Sequence, residues 1–431
     1  MAKITYQAGF GNHFVSEALP NSVPQGQNSP QKCPRGLYAE QLSGTAFTAP
    51  RHLNERSWLY KIRPSVASTT PYKRVDHPTF SNKFSEFIAE PTQLRWKEMP
   101  FPEEGSSVDF IQGMVTMVGN GDPSMKSGLA VYMYSCNQSM NNKAFYSSDG
   151  DFIIVPQVGA LTIKTEMGII EAEPMEIVVI PRGVKFSVEV SGNSRGYASE
   201  TFSGHLNIPN LGPIGANGLA NPRDFLVPVA WFEDKEQEHT IVNKYCGELF
   251  EYSLPHSVFD VVGWHGNYYP YKYDLRLFNA VNTVTFDHPD PSIFTVLTCQ
   301  SLEPGVAVLD FVVFPPRWIV AEHTFRPPYF HRNTMNEFMG NIVGDYDAKE
   351  AGFTPGTASL HSCMSGHGPE VHVFEKASNE ELKPIVNPPN TFQVMFESTY
   401  MLKVAPWAME TEKLDNEYLQ VWQGFNKHFT D

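Results

Sequence analysis

The sequence predicts a mainly β protein, built from sandwich or barrel domains with few helices. Three observations carry that reading. Between residues 145 and 190, five short apolar runs alternate with turn residues. Along the 431-residue chain, 34 Pro and 31 Gly interrupt any long regular element. Aromatic residues reach 13% while charged residues stay at 18%, a composition that suits short strands and ordered loops.

The five runs are 152–155, 159–165, 168–172, 176–180 and 185–190, rich in Ile, Val and Thr. Their spacing is that of a sandwich or barrel. Asp149 and Asp151, just before the first run, read as turn residues. Upstream, 109–118 and 129–135 read as strands, with the Gly119–Pro123 stretch as the turn between them. Residues 1–65 read as an extended arm. Prolines at 20, 24, 30 and 34 forbid long elements, yet Phe10, Phe14, Leu37, Trp58 and Tyr60 are too apolar for a disordered tail. The Gly-, Asn- and Pro-rich stretch 211–225 reads as an ordered loop without a phosphate cradle. Residues 306–314 form an apolar strand. From 408 to 429, Leu414, Tyr418, Val421 and Phe425 step by 4, 3 and 4, which predicts an amphipathic helix at the C-terminus.

Length suggests about two or three domains and enough chain to bury a core. The net charge of −15, with no basic block, makes nucleic acid and anionic membranes poor partners. Five scattered cysteines without a Cys-x-x-Cys spacing argue against a disulfide framework or zinc ribbon. No long apolar run is present and the first residues lack a signal-peptide core, so a cytoplasmic protein is expected.

The most informative run is 326–340. It holds His331 and Glu337, and His361 and His367 follow downstream. Two histidines and one carboxylate on one face of an ion make the ligand set of non-haem Fe(II) oxygenases, and His331, Glu337 and His367 could supply it. Ligand bonds of about 2.0–2.2 Å demand that the donor atoms converge. On one straight strand His331 and Glu337 would stand roughly 20 Å apart, so the chain must bend between them, with Asn333 and Thr334 the natural place. His-x5-Glu is a weak pattern alone. The crowding of His323, His331, His361, His367 and His372 among Gly, Pro and aromatics adds weight. His288, between Asp287 and Pro289, is either a turn residue or a general base.

Two resemblances sharpen this. The stretch from Asp149 through Pro174 to Phe186 resembles the cupin β-barrel pattern. Where metal-binding cupins carry His, it offers Asp149, Asp151 and Phe186, which implies a barrel without metal. Over nearly its whole length the chain resembles the homogentisate 1,2-dioxygenase family. The matching phrases include residues 9–12, 37–44, 54–60, 211–225, 286–298, 311–318 and 326–340. The resemblance implies residues 1–280 as a β-rich N-terminal domain with the arm and the metal-free cupin-like barrel. It implies 281–431 as a C-terminal jelly-roll catalytic domain that binds iron. Fe(II) is implied on His331, Glu337 and His367, with His288 as catalytic base. Tyr346, and His367 beside its metal role, are implied at the substrate, and His361 in the shell behind. Homogentisate and O2 are the implied substrates, and a hexamer built as a dimer of trimers the implied assembly. Two other classes compete with this one. A sugar-phosphate isomerase of cupin type needs a His-x-His pair, which the chain lacks. A non-catalytic binding barrel would not need His331, Glu337 and His367 together.

Overall fold

The computed structural model describes residues 4–431 except 211, 213, 214, 216, 217, 288, 289, 347, 350, 351 and 387–389. Strands dominate, in sheets of nine, seven, four, six and two strands.

The expected strands of the N-terminal half are present as Asp151–Val158, Leu161–Thr165, Gly168–Ala172, Glu176–Ile180 and Phe186–Val190. Alternation sets their faces. Leu161, Ile163 and Thr165 are buried, whereas Thr162 and Lys164 are half-buried. Gly159, with φ of +77°, makes the turn between the first two strands. These strands divide between the nine- and the seven-stranded sheet. Phe80, Tyr132, Phe145, Phe152 and Phe186 interlock in the core, Tyr132 stacked on Phe152 and Phe145 edge-on to Phe186. Each ring withdrawn from water contributes roughly 1.5–3 kcal/mol.

The site-bearing sheet has six strands: β1 (Leu94–Trp96), β2 (Thr295–Gln300), β3 (Ala307–Phe314), β4 (Asn336–Val343), β5 (Ala358–His361) and β6 (Phe392–Ser398). Their spatial order is β2-β3-β6-β4-β5-β1. β1 is lent by the N-terminal half and pairs with β5. In return Lys403–Val404 pairs with Val118–Gly119 of the nine-stranded sheet. One hydrophobic cluster runs through both halves, from Phe110 and Phe152 to Phe311 and Phe396.

Several expectations need correction. The arm is built into the sheets. Tyr6–Ala8 pairs with Leu226–Pro228, and three further strands of the first 65 residues join Val261–Gly266 in the four-stranded sheet. Its strands are short, three to six residues each, and Pro20, Pro24, Pro30 and Pro34 lie outside them, as expected of prolines that forbid long elements. The strand expected at 109–118 begins at Met114 and runs on to Asp122, with the turn at Pro123–Met125. Asp149 lies in the bend before the strand Asp151–Val158, as expected, whereas Asp151 opens that strand; both are buried members of ionic networks. Asp149 accepts from the backbone N–H groups of Cys246 and Gly247 and from the ammonium of Lys244, which also reaches Glu200 at 2.9 Å. The single helix over 408–429 is absent. That region holds α2 (Pro406–Glu410) and a 3-10 turn, Tyr418–Trp422, after the longer α1 (Val371–Asn379). Between them the chain runs alongside β1: Lys97 N–H donates to Lys413 O and Asp415 N–H to Arg95 O. Those bonds use backbone groups that a helix would have needed.

Candidate metal centre

The expected bend between His331 and Glu337 is there. Asn333 Oδ1 accepts the Met335 N–H at 3.0 Å, a side-chain-to-backbone turn that lets β4 start at Asn336. Glu337, second in β4, lies in register with His361 of β5 on one side and Glu397 of β6 on the other. Outside the sheet, His331 and His367 form an antiparallel bridge, N–H to O distances 3.0 and 3.1 Å. This brings their rings to 4.2 Å between centroids.

Both rings are oriented alike. His331 Nδ1 lies 2.7 Å from Tyr329 O and His367 Nδ1 lies 2.9 Å from Ser365 O. Each Nδ1–H therefore donates to a carbonyl two residues earlier, and each Nε2 turns to the carboxylate of Glu337. The distances are 3.3 Å from His331 to Oε1 and 3.1 Å from His367 to Oε2. One ligand atom from each of the three lies within 4.8 Å of the others. In neutral imidazoles so oriented, two lone pairs face an anion, an arrangement that calls for a cation between them. The donor set thus fits a divalent metal. With no cation between them, ring N–H groups turned to the carboxylate would take its place, and such donors outweigh burial and hold Glu337 well below the carboxylate range.

Around this core stand further groups. Asn333 Nδ2 donates to Glu337 Oε1 at 3.0 Å and to Glu397 Oε1 at 3.3 Å. Glu397 is pushed well above the usual range by burial and by the charges of Glu337, Asp310 and Asp290. His361 lies behind Glu337, its Nδ1 3.6 Å from Oε2, and is driven down to about 3 by burial and by Lys349. A cavity of about 240 Å³ opens on the cluster, walled by Phe314, Met339, Met395, Arg317, Tyr329 and Tyr346. The Tyr346 carbonyl accepts the Lys349 N–H, and its ring leans on Phe314. His288 lies outside the described residues, although Asp290, two positions on, lines the cavity. Of the remaining histidines, His323 is exposed, His372 lies in α1, and His265 meets His13 at 3.0 Å. Sequence reasoning passed over Glu397, Lys349 and Tyr418. The lone acid in the buried run Phe392–Ser398 was the one available signal.

Fold and cluster together define a class: a β-sandwich protein with a single-ion site of two histidines and a carboxylate at the mouth of a sheet. Family comparison refines it. Residues 5–275 match the family model described as homogentisate 1,2-dioxygenase N-terminal, and 276–429 the one described as homogentisate 1,2-dioxygenase C-terminal. The chain belongs to the homogentisate 1,2-dioxygenase family. It is 54% identical over 432 residues to the homogentisate 1,2-dioxygenase of Caenorhabditis elegans, covering 99% of this chain and 98% of that one. To the human protein of the same name it is 52% identical over 436 residues, covering 100% and 98%. Among solved structures, a cupin 2 conserved barrel domain protein from Leptotrichia buccalis is 8% identical with a TM-score of 0.30, covering 71% of this chain and 92% of that one.

Proposed function

We propose that this protein opens the aromatic ring of homogentisate with dioxygen, giving 4-maleylacetoacetate, and that His331, Glu337 and His367 hold the ferrous ion this requires. Both atoms of O2 enter the product. The observation that carries the reading is the pair of imidazoles whose Nδ1 atoms are tied to backbone carbonyls while both Nε2 atoms converge on Glu337 beside a cavity. Ferrous iron there supplies a redox-active centre at which triplet O2 and a closed-shell ring can react.

The chain's own residues do the rest. Glu337 brings one negative charge, and Asn333 fixes one of its oxygens. Phe314, Met339 and Met395 offer an apolar wall to the substrate ring. Tyr346, whose ring leans on Phe314, holds the substrate by hydrogen bonding, which decides the ring bond presented for cleavage. His288 accepts a ring-hydroxyl proton, leaving the ring more electron-rich. The family likeness further supports a cytoplasmic homohexamer, a dimer of trimers.

Oxygen uptake tests this. Protein loaded anaerobically with Fe(II) is mixed with homogentisate beside a zinc-loaded control. Stoichiometric uptake with maleylacetoacetate absorbance in the iron sample alone is expected. No uptake from protein shown to contain ferrous iron overturns the assignment.

A further inference from the structure

Behind the ligand cluster lies a buried contact that the proposed reaction leaves unused. His361 and Tyr418 are both nearly inaccessible, at 3% and 1% exposure. His361 Nε2 lies 2.9 Å from the Tyr418 hydroxyl. The other ring nitrogen, Nδ1, has no hydrogen-bond partner and points at Glu337 Oε2 from 3.6 Å, just beyond hydrogen-bond reach. A neutral imidazole carries one N–H. Were it on Nε2, Tyr418 would accept and the Nδ1 lone pair would face a carboxylate. With the proton on Nδ1, Tyr418 donates and an N–H faces Glu337. Only the second arrangement has no repulsive contact.

The Tyr418 ring is held firmly enough to enforce this. The guanidinium of Arg95 lies 4.6 Å over it and the ammonium of Lys349 5.5 Å from its centroid. Arg95 is itself anchored by Asp415, its Nε 2.8 Å from Oδ2. The Arg95 guanidinium over the ring polarises the phenol and favours its O–H as a donor. Arg95 comes from β1, His361 from β5 and Tyr418 from the C-terminal turn, so three distant segments build this wall.

We propose that Tyr418 is a positioning residue of the metal centre: its hydroxyl fixes the His361 tautomer that turns an N–H towards Glu337, and so steadies the carboxylate for its ion. The inference rests on the metal-ligand reading above. Partners behind metal ligands typically account for about 10–100-fold in metal affinity.

The test is zinc affinity of the full-length protein by chelator competition, with thermal melting beside it. Tyr418→Phe should keep the fold but weaken zinc binding about 10-fold or more. His361→Asn presents an amide N–H near the Nδ1 position without help from a tautomer. In that background Tyr418→Phe should cost nothing further. The proposal is overturned if Tyr418→Phe binds zinc as the parent does, or if it weakens binding equally in the His361→Asn background. If the parent protein binds no zinc at the cluster, the ligand reading itself falls, and this inference with it.

Discussion

Gly340 lies flat against the ring of Tyr197, so close that a Cβ there would sit 2.7 Å from the ring's Cζ. Tyr197 belongs to the nine-stranded sheet and Gly340 to β4, so the contact is the seam between the two halves. The phenol completes it by donating to Thr357 O at 2.7 Å and Asn341 O at 3.2 Å. Gly340→Ala must push the seam apart, and overpacking of this kind costs about 1–3 kcal/mol. Thermal melting should show a fall of several degrees. An unchanged melting temperature would mean that the two sheets slide freely here.

His205 predicts a pH dependence remote from the metal centre. Its Nδ1 lies 2.7 Å from Asp151 Oδ2 and its Nε2 2.8 Å from Gly44 O. Both partners are acceptors, so both nitrogens carry protons in the folded state. Burial opposes the charge, but the carboxylates of Asp151 and Glu55 outweigh it and lift the pKa from 6.5 to about 9. The folded protein thus holds this proton more tightly than the unfolded chain. The resulting stability is complete below about pH 6.5 and fades as pH rises through about 9. The loss should be on the order of 1–3 kcal/mol. Denaturant melts at pH 6 and pH 9.5 should show a steeper decline for the parent than for His205→Gln. Parallel curves would refute the assignment.

The histidines themselves should separate by what they lose. His331→Ala and His367→Ala should lose bound iron and ring opening together, because each removes one of three converging donors. His288→Ala should keep iron near the parent level while turnover falls by about 100-fold or more, the usual contribution of a general base. Iron content measured beside oxygen uptake decides between them. Iron missing from His288→Ala would remove it from the role of base.

What the sequence disclosed follows a physical line. Strands such as 161–165 and 176–180 were legible because alternation and turn residues act within a few positions. His331, Glu337 and His367 were legible because so few side-chain types can hold a metal, and because Asn333 marked the bend. The burial of Asp149 and Asp151 in ionic networks was not legible because their partners are Lys244, Cys246, Gly247 and His205, far away in sequence. The spacing of Leu414, Tyr418, Val421 and Phe425 fits a helix, but pairing of 413–415 with β1 prevails over periodicity. β1 itself is three residues long and joins a sheet whose other strands begin about two hundred positions later, a distance no local pattern reports.

The Asn333 amide should prove to be a clamp between two acids. It is the group that touches both Glu337 and Glu397, which face each other in register on neighbouring strands. Asn333→Ala leaves two buried carboxyl groups short of a donor, and losses of this kind run to about 1–3 kcal/mol. The melting temperature of metal-free protein should therefore fall. Zinc should restore part of the difference, since a cation at the cluster offsets the charge on Glu337 that the amide had stabilised. Asn333→Asp should be worse than Asn333→Ala without metal, because it places a third acid against the other two. If the alanine variant melts with the parent, with and without zinc, then the backbone of β4 alone aims Glu337, and the Asn333 side chain clamps neither acid.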